Sequence, residues 1–325
     1  MIRSILLHLG SNMWNEWLPE DLNREEFIEP KRRPARKLLL DEGNWRAVTD
    51  RAAAQGLDTV LIDIGEALAF PSHPELAVEG SWSPDRLRAE IARLKAKGLT
   101  AYPKLNFSTT HDGWLKDYHR MVSTPEYYRV VKDVIRDTAE VFGSPALFHI
   151  GFDEERPEWS KGLNYFVARQ GELWWHDYLY TIRCVEDCGS RAWVWSDCGP
   201  HKPEYFDRCP KSVMQTAWYY DAYNEKLSMD EKANPHWWKL RNFIDLEKHG
   251  FDQIPCGTNW VGFKRRALGV DADEVMGLVV KFCREHVSAE RLKGFLMAPW
   301  AICDSDEGHL KTNLRGVDLL KEALA

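Results

Sequence analysis

The sequence predicts an α/β chain folded as one (β/α)8 TIM barrel over residues 1–325, and three observations carry that prediction. Eight short apolar runs alternate strictly with eight helical stretches, the order that a parallel sheet with crossover helices requires. A chain of 325 residues suits a barrel of eight such units with no linker or second domain left over. The first run ends in Leu9-Gly10-Ser11-Asn12, which is not the glycine-rich phosphate loop that usually announces an open, doubly wound sheet.

Strand one is expected at Ile5–Leu9, followed by a long loop from Gly10 to about Gly43. Asn44–Gln55 places Trp45, Val48 and Ala52 on one helical face and stops at Gly56. Leu57–Ile64 reads as strand two. Ser83-Pro84-Asp85 opens a helix that runs to Lys97, with Ser as N-cap, Pro in the first turn and an acid near the positive helix end. Leu99–Phe107 is strand three. The stretch Ser123-Thr124-Pro125-Glu126 caps a helix to about Phe142, and Ala146–Phe152 is strand four. A loop with Pro157 and Trp159 leads to a helix at Tyr165–Cys188. Arg191–Ser196 is strand five, Pro203–Arg208 a short helix, Ser212–Tyr219 strand six, Pro235–His249 a helix and Gln253–Trp260 strand seven. Ala272–His286 is helical, Leu292–Trp300 is strand eight, and Leu310–Leu324 closes the chain with a helix.

Composition narrows the function classes. Hydrophobic residues make up 44% and charged residues 29%, which fits a packed core in water. A net charge of −7 leaves no basic footprint for nucleic acid, and the one basic run, Lys31-Arg32-Arg33-Pro34-Ala35-Arg36-Lys37, reads as a solvated loop. No segment approaches the roughly 20 apolar residues of a membrane span. Met1-Ile2-Arg3-Ser4-Ile5-Leu6-Leu7-His8 reads as a strand rather than a signal peptide. Seven cysteines without a CxxC pair suggest reduced thiols in a cytoplasm rather than a disulfide framework. His8 and His73 lack metal-ligand spacing, so neither metal nor cofactor is expected. The oligomeric state, a homo-oligomer included, stays open.

A barrel does its chemistry where strands end and βα loops begin. Those positions hold Asn12 and Trp14, then Asp63 and Glu66, then Asn106 and His111, then His149, Asp153 and Glu154. Strand five adds Trp195 and Asp197, and strand six Trp218, Tyr219, Tyr220 and Asp221. Strand seven adds Asn259 and Trp260, and strand eight Trp300, Asp304 and Asp306. A phosphate substrate would want cations and exposed backbone N–H groups there. Carboxylates and amides for hydroxyls, with rings for C–H faces, suit a carbohydrate. Fifteen Trp residues also serve packing, and Trp237 and Trp238, mid-helix, read as core.

Asp153 and Glu154 are the candidate catalytic pair. Glycosidic hydrolysis needs one acid to protonate the leaving oxygen and a second group to support the cationic centre. Two adjacent carboxylates repel, which raises one pKa and leaves a suitable proton donor. Neighbouring residues of a strand face opposite ways, so both acids reach one pocket only where the strand ends or bulges.

The stretch Phe148-His149-Ile150-Gly151-Phe152-Asp153-Glu154 resembles the His-x-Gly-Gly-Asp-Glu signature of family 20 glycoside hydrolases, the β-N-acetylhexosaminidases. Pro103-Lys104-Leu105-Asn106 with His111 resembles the family's Pro-Glu-Ile-Asp…Gly-His segment. Val194-Trp195-Ser196-Asp197, Gln215-Thr216-Ala217-Trp218 and Trp300 resemble its Trp segments on strands five, six and eight. The resemblance implies a retaining, substrate-assisted reaction. The 2-acetamido oxygen attacks the anomeric carbon, Glu154 is acid/base, and Asp153 orients the acetamido N–H. It also implies that Trp195, Trp218, Trp260 and Trp300 wall the sugar pocket; Asn106, His111, His149 and Tyr219, at the strand ends, are candidate substrate contacts. The chain departs from the pattern in several places. Phe152 replaces the second Gly and is expected to set a ring beside the acids. Lys104 and Asn106 replace Glu and Asp. The first strand lacks the Arg that grips the sugar hydroxyls in that family, and strand seven reads Asn259-Trp260-Val261 instead of Tyr-x-Asp. Asp304 is the candidate for the acid that otherwise follows Trp300. Two further readings are a glycosidase for a sugar without the acetamido group, using Glu154 with a distal carboxylate such as Asp304, and a glycan-binding barrel without catalysis.

Overall fold

Strand-forming runs this short become stable only by pairing on both edges, and all eight do so in parallel. The computed structural model describes residues 1–17, 32–156, 163–221, 227–232, 234, 236–261 and 272–325. Lys31, Pro157, Trp159 and Pro235, which figure in the expected loops and helices, lie outside the described residues. The strands are β1 (Ile2–His8), β2 (Thr59–Asp63), β3 (Thr100–Lys104), β4 (Leu147–His149), β5 (Arg191–Trp195), β6 (Met214–Thr216), β7 (Cys256–Gly257) and β8 (Gly294–Met297). Hydrogen-bonded neighbours follow the order β6-β5-β4-β3-β2-β1-β8-β7. The ring closes between β6 and β7 through Ile254 N–H to Gln215 O (2.9 Å) and Cys256 N–H to Ala217 O (2.9 Å). The molecule is therefore the (β/α)8 barrel that the alternation predicts.

Alternation of side chains along each strand builds two cores. Leu6, Leu61, Leu147, Trp193, Trp195, Met214, Ile254, Cys256 and Leu296 fill the barrel interior. Their strand neighbours, such as Ile5, Leu7, Ile62, Phe148 and Val194, pack outward against the helices. The same parity sends His8, Asp63, Lys104 and His149 inward at the C-terminal ends of four successive strands, where they are aligned in register. Lys104 and Asp63 form a buried ion pair at 2.5 Å. Burial pushes the Asp63 carboxyl up, but Lys104 and His8 override it and hold it at about 2.

The helices are α1 (Glu42–Ala54), α2 (Pro84–Ala96), α3 (Pro125–Phe142), α4 (Gly171–Asp187), α5 (Tyr205–Arg208), α6 (Trp237–Lys248), α7 (Val275–His286) and α8 (Glu307–Leu324). Side-chain caps set four of the starts. Asp41, Ser83, Thr124 and Asp306 accept from Asn44, Arg86, Tyr127 and His309 backbone N–H groups. Two boundaries differ from expectation for this reason. The helix predicted from Asn44 begins at Glu42 because Asp41 caps it, and the last begins at Glu307 because Asp306 does. No helix among the described residues is long and apolar enough to cross a membrane.

The segment before α4 is not helical from Tyr165 as expected, because Arg169 is drawn into the protein. Its guanidinium binds the Glu155 carboxylate, Asp177 Oδ2 (3.2 Å) and Phe107 O (2.9 Å). Asp177 also accepts from Ser123 Oγ and Tyr128 Oη, both at 2.6 Å. All three charged side chains are buried. Removing the cation would leave two buried carboxylates uncompensated. Arg169→Met is therefore expected to destabilise the fold by about 3–5 kcal/mol in urea unfolding followed by circular dichroism. A loss below about 1 kcal/mol would show that the network is not an anchor.

Candidate active site

A regular strand would turn Glu154 away from Asp153. Following β4, parity places His149 inward, Ile150 outward and Phe152 outward. Asp153 falls inward again. The chain then breaks the alternation: Gly151, Phe152 and Glu154 have φ of 75°, 68° and 58°. Left-handed backbone is costly for a side chain as large as Phe or Glu. Here it swings Glu154 round to the face Asp153 occupies. Gly151 is obligatory, since a Cβ there would lie 1.9 Å from Asn106 Oδ1.

The Phe152 ring does not stand beside the acids. It is buried in the helix layer, 5.0 Å from the Tyr178 ring, 6.0 Å from Trp174 and 4.9 Å below the Arg169 guanidinium. The sequence-based expectation failed because it placed the ring by adjacency rather than by strand parity. Glu155, the third acid of the run, is likewise structural. It binds Arg169 and accepts from Trp174 Nε1 (2.7 Å) and Thr109 N (2.9 Å).

Asp153 is held on two sides. Asn106 Nδ2 donates to its Oδ1 at 2.9 Å, and Asn106 Oδ1 in turn accepts from Ser108 N at 2.9 Å. The Ser108 hydroxyl donates to the Asp153 carbonyl. His111 sits between the two acids, Nδ1 3.7 Å from Asp153 Oδ2 and Nε2 3.7 Å from Glu154 Oε2. Both carboxylates therefore face one imidazole, which burial keeps below its ordinary pKa. Glu154 remains 24% exposed at its side chain, so its carboxyl meets the barrel mouth. Burial, then the charges of Asp153 and Asp197, push its pKa up to about 8. Asp197 accepts from Glu154 N at 2.9 Å and is itself pushed up to about 7, by burial and then by Asp153.

Rings form a continuous wall next to the acids. Trp300, itself left-handed at φ 54°, contacts Trp195 (5.7 Å), Trp14 (6.2 Å), His8 (5.8 Å) and Tyr220 (6.3 Å). His149 packs on Trp195 at 4.7 Å, and Trp218 stacks on Tyr220 at 4.6 Å. His149 Nδ1 accepts from Gly151 N (3.1 Å), which leaves its Nε2 to carry the proton of the neutral ring. Among the described residues, that Nε2, Trp195 Nε1 and His8 Nε2 are buried without a hydrogen-bond partner, and His8 Nδ1 lies 3.3 Å from Asp63. Lys239 reaches in from α6, its ammonium 4.1 Å from the Trp218 ring and 3.5 Å from Asp221.

Of the residues singled out by sequence, Asn106, His111, Asp153 and Glu154 converge, and His149, Trp195, Trp218 and Trp300 join through the ring wall. Three have other surroundings. Tyr219 is buried among the helices, where its hydroxyl accepts from Asn234 Nδ2 (3.4 Å), and Tyr220 takes the inward place. Trp260 is 41% exposed, with its backbone N–H on Thr258 Oγ1. Asp304 is engaged by His309 Nδ1 (2.8 Å) and Asp306 N (3.1 Å) at the start of α8. Asp197, Tyr220, His8 and Trp14 were visible as strand-end or strand residues without a role. Parity counted from Trp218 would have picked Tyr220. Nothing in the sequence marks Lys239, one position from Trp238, as a cation of the site.

No family model and no curated protein sequence matches the chain significantly. Solved structures match its fold. An exo-β-N-acetylglucosaminidase of glycoside hydrolase family 20 from Vibrio harveyi superposes with a TM-score of 0.61 at 14% identity, over 97% of this chain and 54% of that one. A β-N-acetylhexosaminidase from Bacteroides fragilis gives 0.62 at 14%, over 97% and 65%. Dispersin B gives 0.55 at 12%, over 87% and 95%. The chain thus spans about half to two thirds of the length of the first two. At these identities the likeness is one of fold.

A carboxyl whose pKa is raised on folding costs stability once the unfolded chain can ionise it. For Glu154 that cost is absent below its ordinary value of 4.5 and grows as pH rises toward about 8. Glu154→Gln is therefore expected to be more stable to unfolding than the parent at pH 8–9, by on the order of 1–4 kcal/mol, with the gap closing toward pH 4. Equal differences at both pH values, read by calorimetry, would contradict the raised pKa.

Proposed function

We propose that this barrel is a retaining glycoside hydrolase for a β-linked N-acetylhexosamine, working by substrate assistance. The observation that carries the reading is the pair at the exit of β4: a carboxyl kept protonated near neutral pH beside a carboxylate braced by Asn106. In the first step the acetamido oxygen attacks the anomeric carbon as the glycosidic C–O bond breaks. Glu154 gives its proton to the leaving oxygen. Asp153 accepts the acetamido N–H and balances the positive charge of the oxazolinium that forms. Glu154, now ionised, takes a proton from water, which attacks the anomeric carbon and reopens the ring with retention. Both acids end in their starting states.

The surroundings suit a sugar. The Trp195–Trp300–Tyr220–Trp218 wall offers faces for C–H bonds. The fold shared with β-N-acetylhexosaminidases agrees with this reading without establishing it. One observation favours a sugar lacking the acetamido group. At the end of β7, where the resemblance would call for a Tyr to hold the acetamido carbonyl, stands Asn259, which gives one of its two amide N–H groups to Thr312 O (2.8 Å).

Aryl β-glycosides with and without a 2-acetamido group separate the two. Glu154→Gln is expected to lower kcat/KM by about 10²–10⁴-fold on the acetamido substrate. Asp153→Asn is expected to cost about 100-fold, and a thiazoline analogue should inhibit competitively. Turnover of the non-acetamido glycoside alone, insensitive to thiazoline, would select the second reading. Saccharide binding with no product from either would mark a glycan-binding barrel.

A further inference from the structure

We propose that Asp197 is a positioning residue for Glu154: it holds the Glu154 backbone in its left-handed turn and tunes its hold on the proton through space. The inference rests on Glu154 being the acid/base.

The exit of β5 grips the turn that carries the acid pair at three points. Trp195 N–H donates to Gly151 O (3.1 Å), Cys198 Sγ to Phe152 O (3.2 Å), and Glu154 N–H to Asp197 Oδ2 (2.9 Å). The first two extend strand pairing and packing. The third acts on the residue whose φ of 58° decides where the acid points. An amide hydrogen bond to a carboxylate is strong enough to hold such a conformer.

A clamp alone needs only an acceptor, and asparagine would serve. Asp197 does more, because it sets a second acid behind Glu154. It is 5% exposed, and its Oδ1 is buried without a hydrogen-bond partner among the described residues. The charged groups acting on Glu154 are Asp153 from the same turn, Asp197 from the β5 exit, Lys239 from α6 and Arg156 two residues on, with His111 3.7 Å away. Lys239 is shared with Asp221, which His236 also approaches at 2.8 Å. The like charges therefore outweigh the cations at Glu154, where burial and the acids together raise the pKa to about 8.

The test separates clamp from charge on the full chain labelled with ¹³C at the glutamate carboxyls, using Glu154→Gln to assign the signal. In Asp197→Asn, which keeps an acceptor and drops the charge, Glu154 should titrate about 1 pH unit lower. The alkaline limb of the kcat/KM profile should move down with it. In Asp197→Ala, which drops both, kcat should fall about 100-fold with KM changed less than threefold. An unchanged Glu154 titration in Asp197→Asn overturns the proposal. The titration needs no substrate, so a parent enzyme inactive on every glycoside would sink the glycosidase reading while the resonance still judges Asp197.

Discussion

Everything at this site depends on one departure from strand geometry. Side chains along β4 alternate between barrel and helix layer, and regular continuation would bury Glu154 away from Asp153. Left-handed backbone at Gly151, Phe152 and Glu154 breaks the alternation. The cost is met locally: Gly151 leaves room for Asn106, Phe152 sinks its ring under Arg169, and Glu154 gives its N–H to Asp197. A strained turn that also gathers the acids is where function is expected to sit.

Behind the turn stands a rigid frame. Glu155 continues the same run but faces backward, into Arg169, Trp174 and the Thr109 amide. Arg169 and Asp177 then tie α4 to α3 through Ser123 and Tyr128. Three consecutive acids thus divide into a positioned carboxylate, a proton-holding carboxyl and a structural anchor. Environment decides which is which. Asp153 is braced by an amide, Glu154 faces two other acids, and Glu155 meets a guanidinium.

The aromatic residues divide in the same manner. Trp45, Trp114, Trp174 and Trp175 are buried in the outer layer with their indole N–H groups on Glu90, Asn106 O, Glu155 and Glu204. Inside the barrel Trp193 donates to Thr216 Oγ1, whereas the Trp195 indole N–H has no hydrogen-bond partner among the described residues.

The sequence by itself determined the architecture and the location of the acids. Strict alternation of apolar runs and helices requires a parallel sheet, eight such units without a glycine-rich first loop fit a closed barrel, and Asp153 and Glu154 follow one of its strands. Asn106, His111, Trp195, Trp218 and Trp300 were legible too, because strand ends converge on one face. What the sequence left undecided was direction. Tyr219 and Tyr220 are interchangeable as letters, and Phe152 reads as a neighbour of the acids although its ring lies in the other layer. Asp304 reads as an acid near the mouth although His309 and the start of α8 hold it. Lys239 reads as part of a packed helix although it reaches Trp218. Only the tertiary structure settled these. Proximity along the chain sets which residues share a strand end, but the sign of φ and the partners supplied by distant segments set which way each side chain turns.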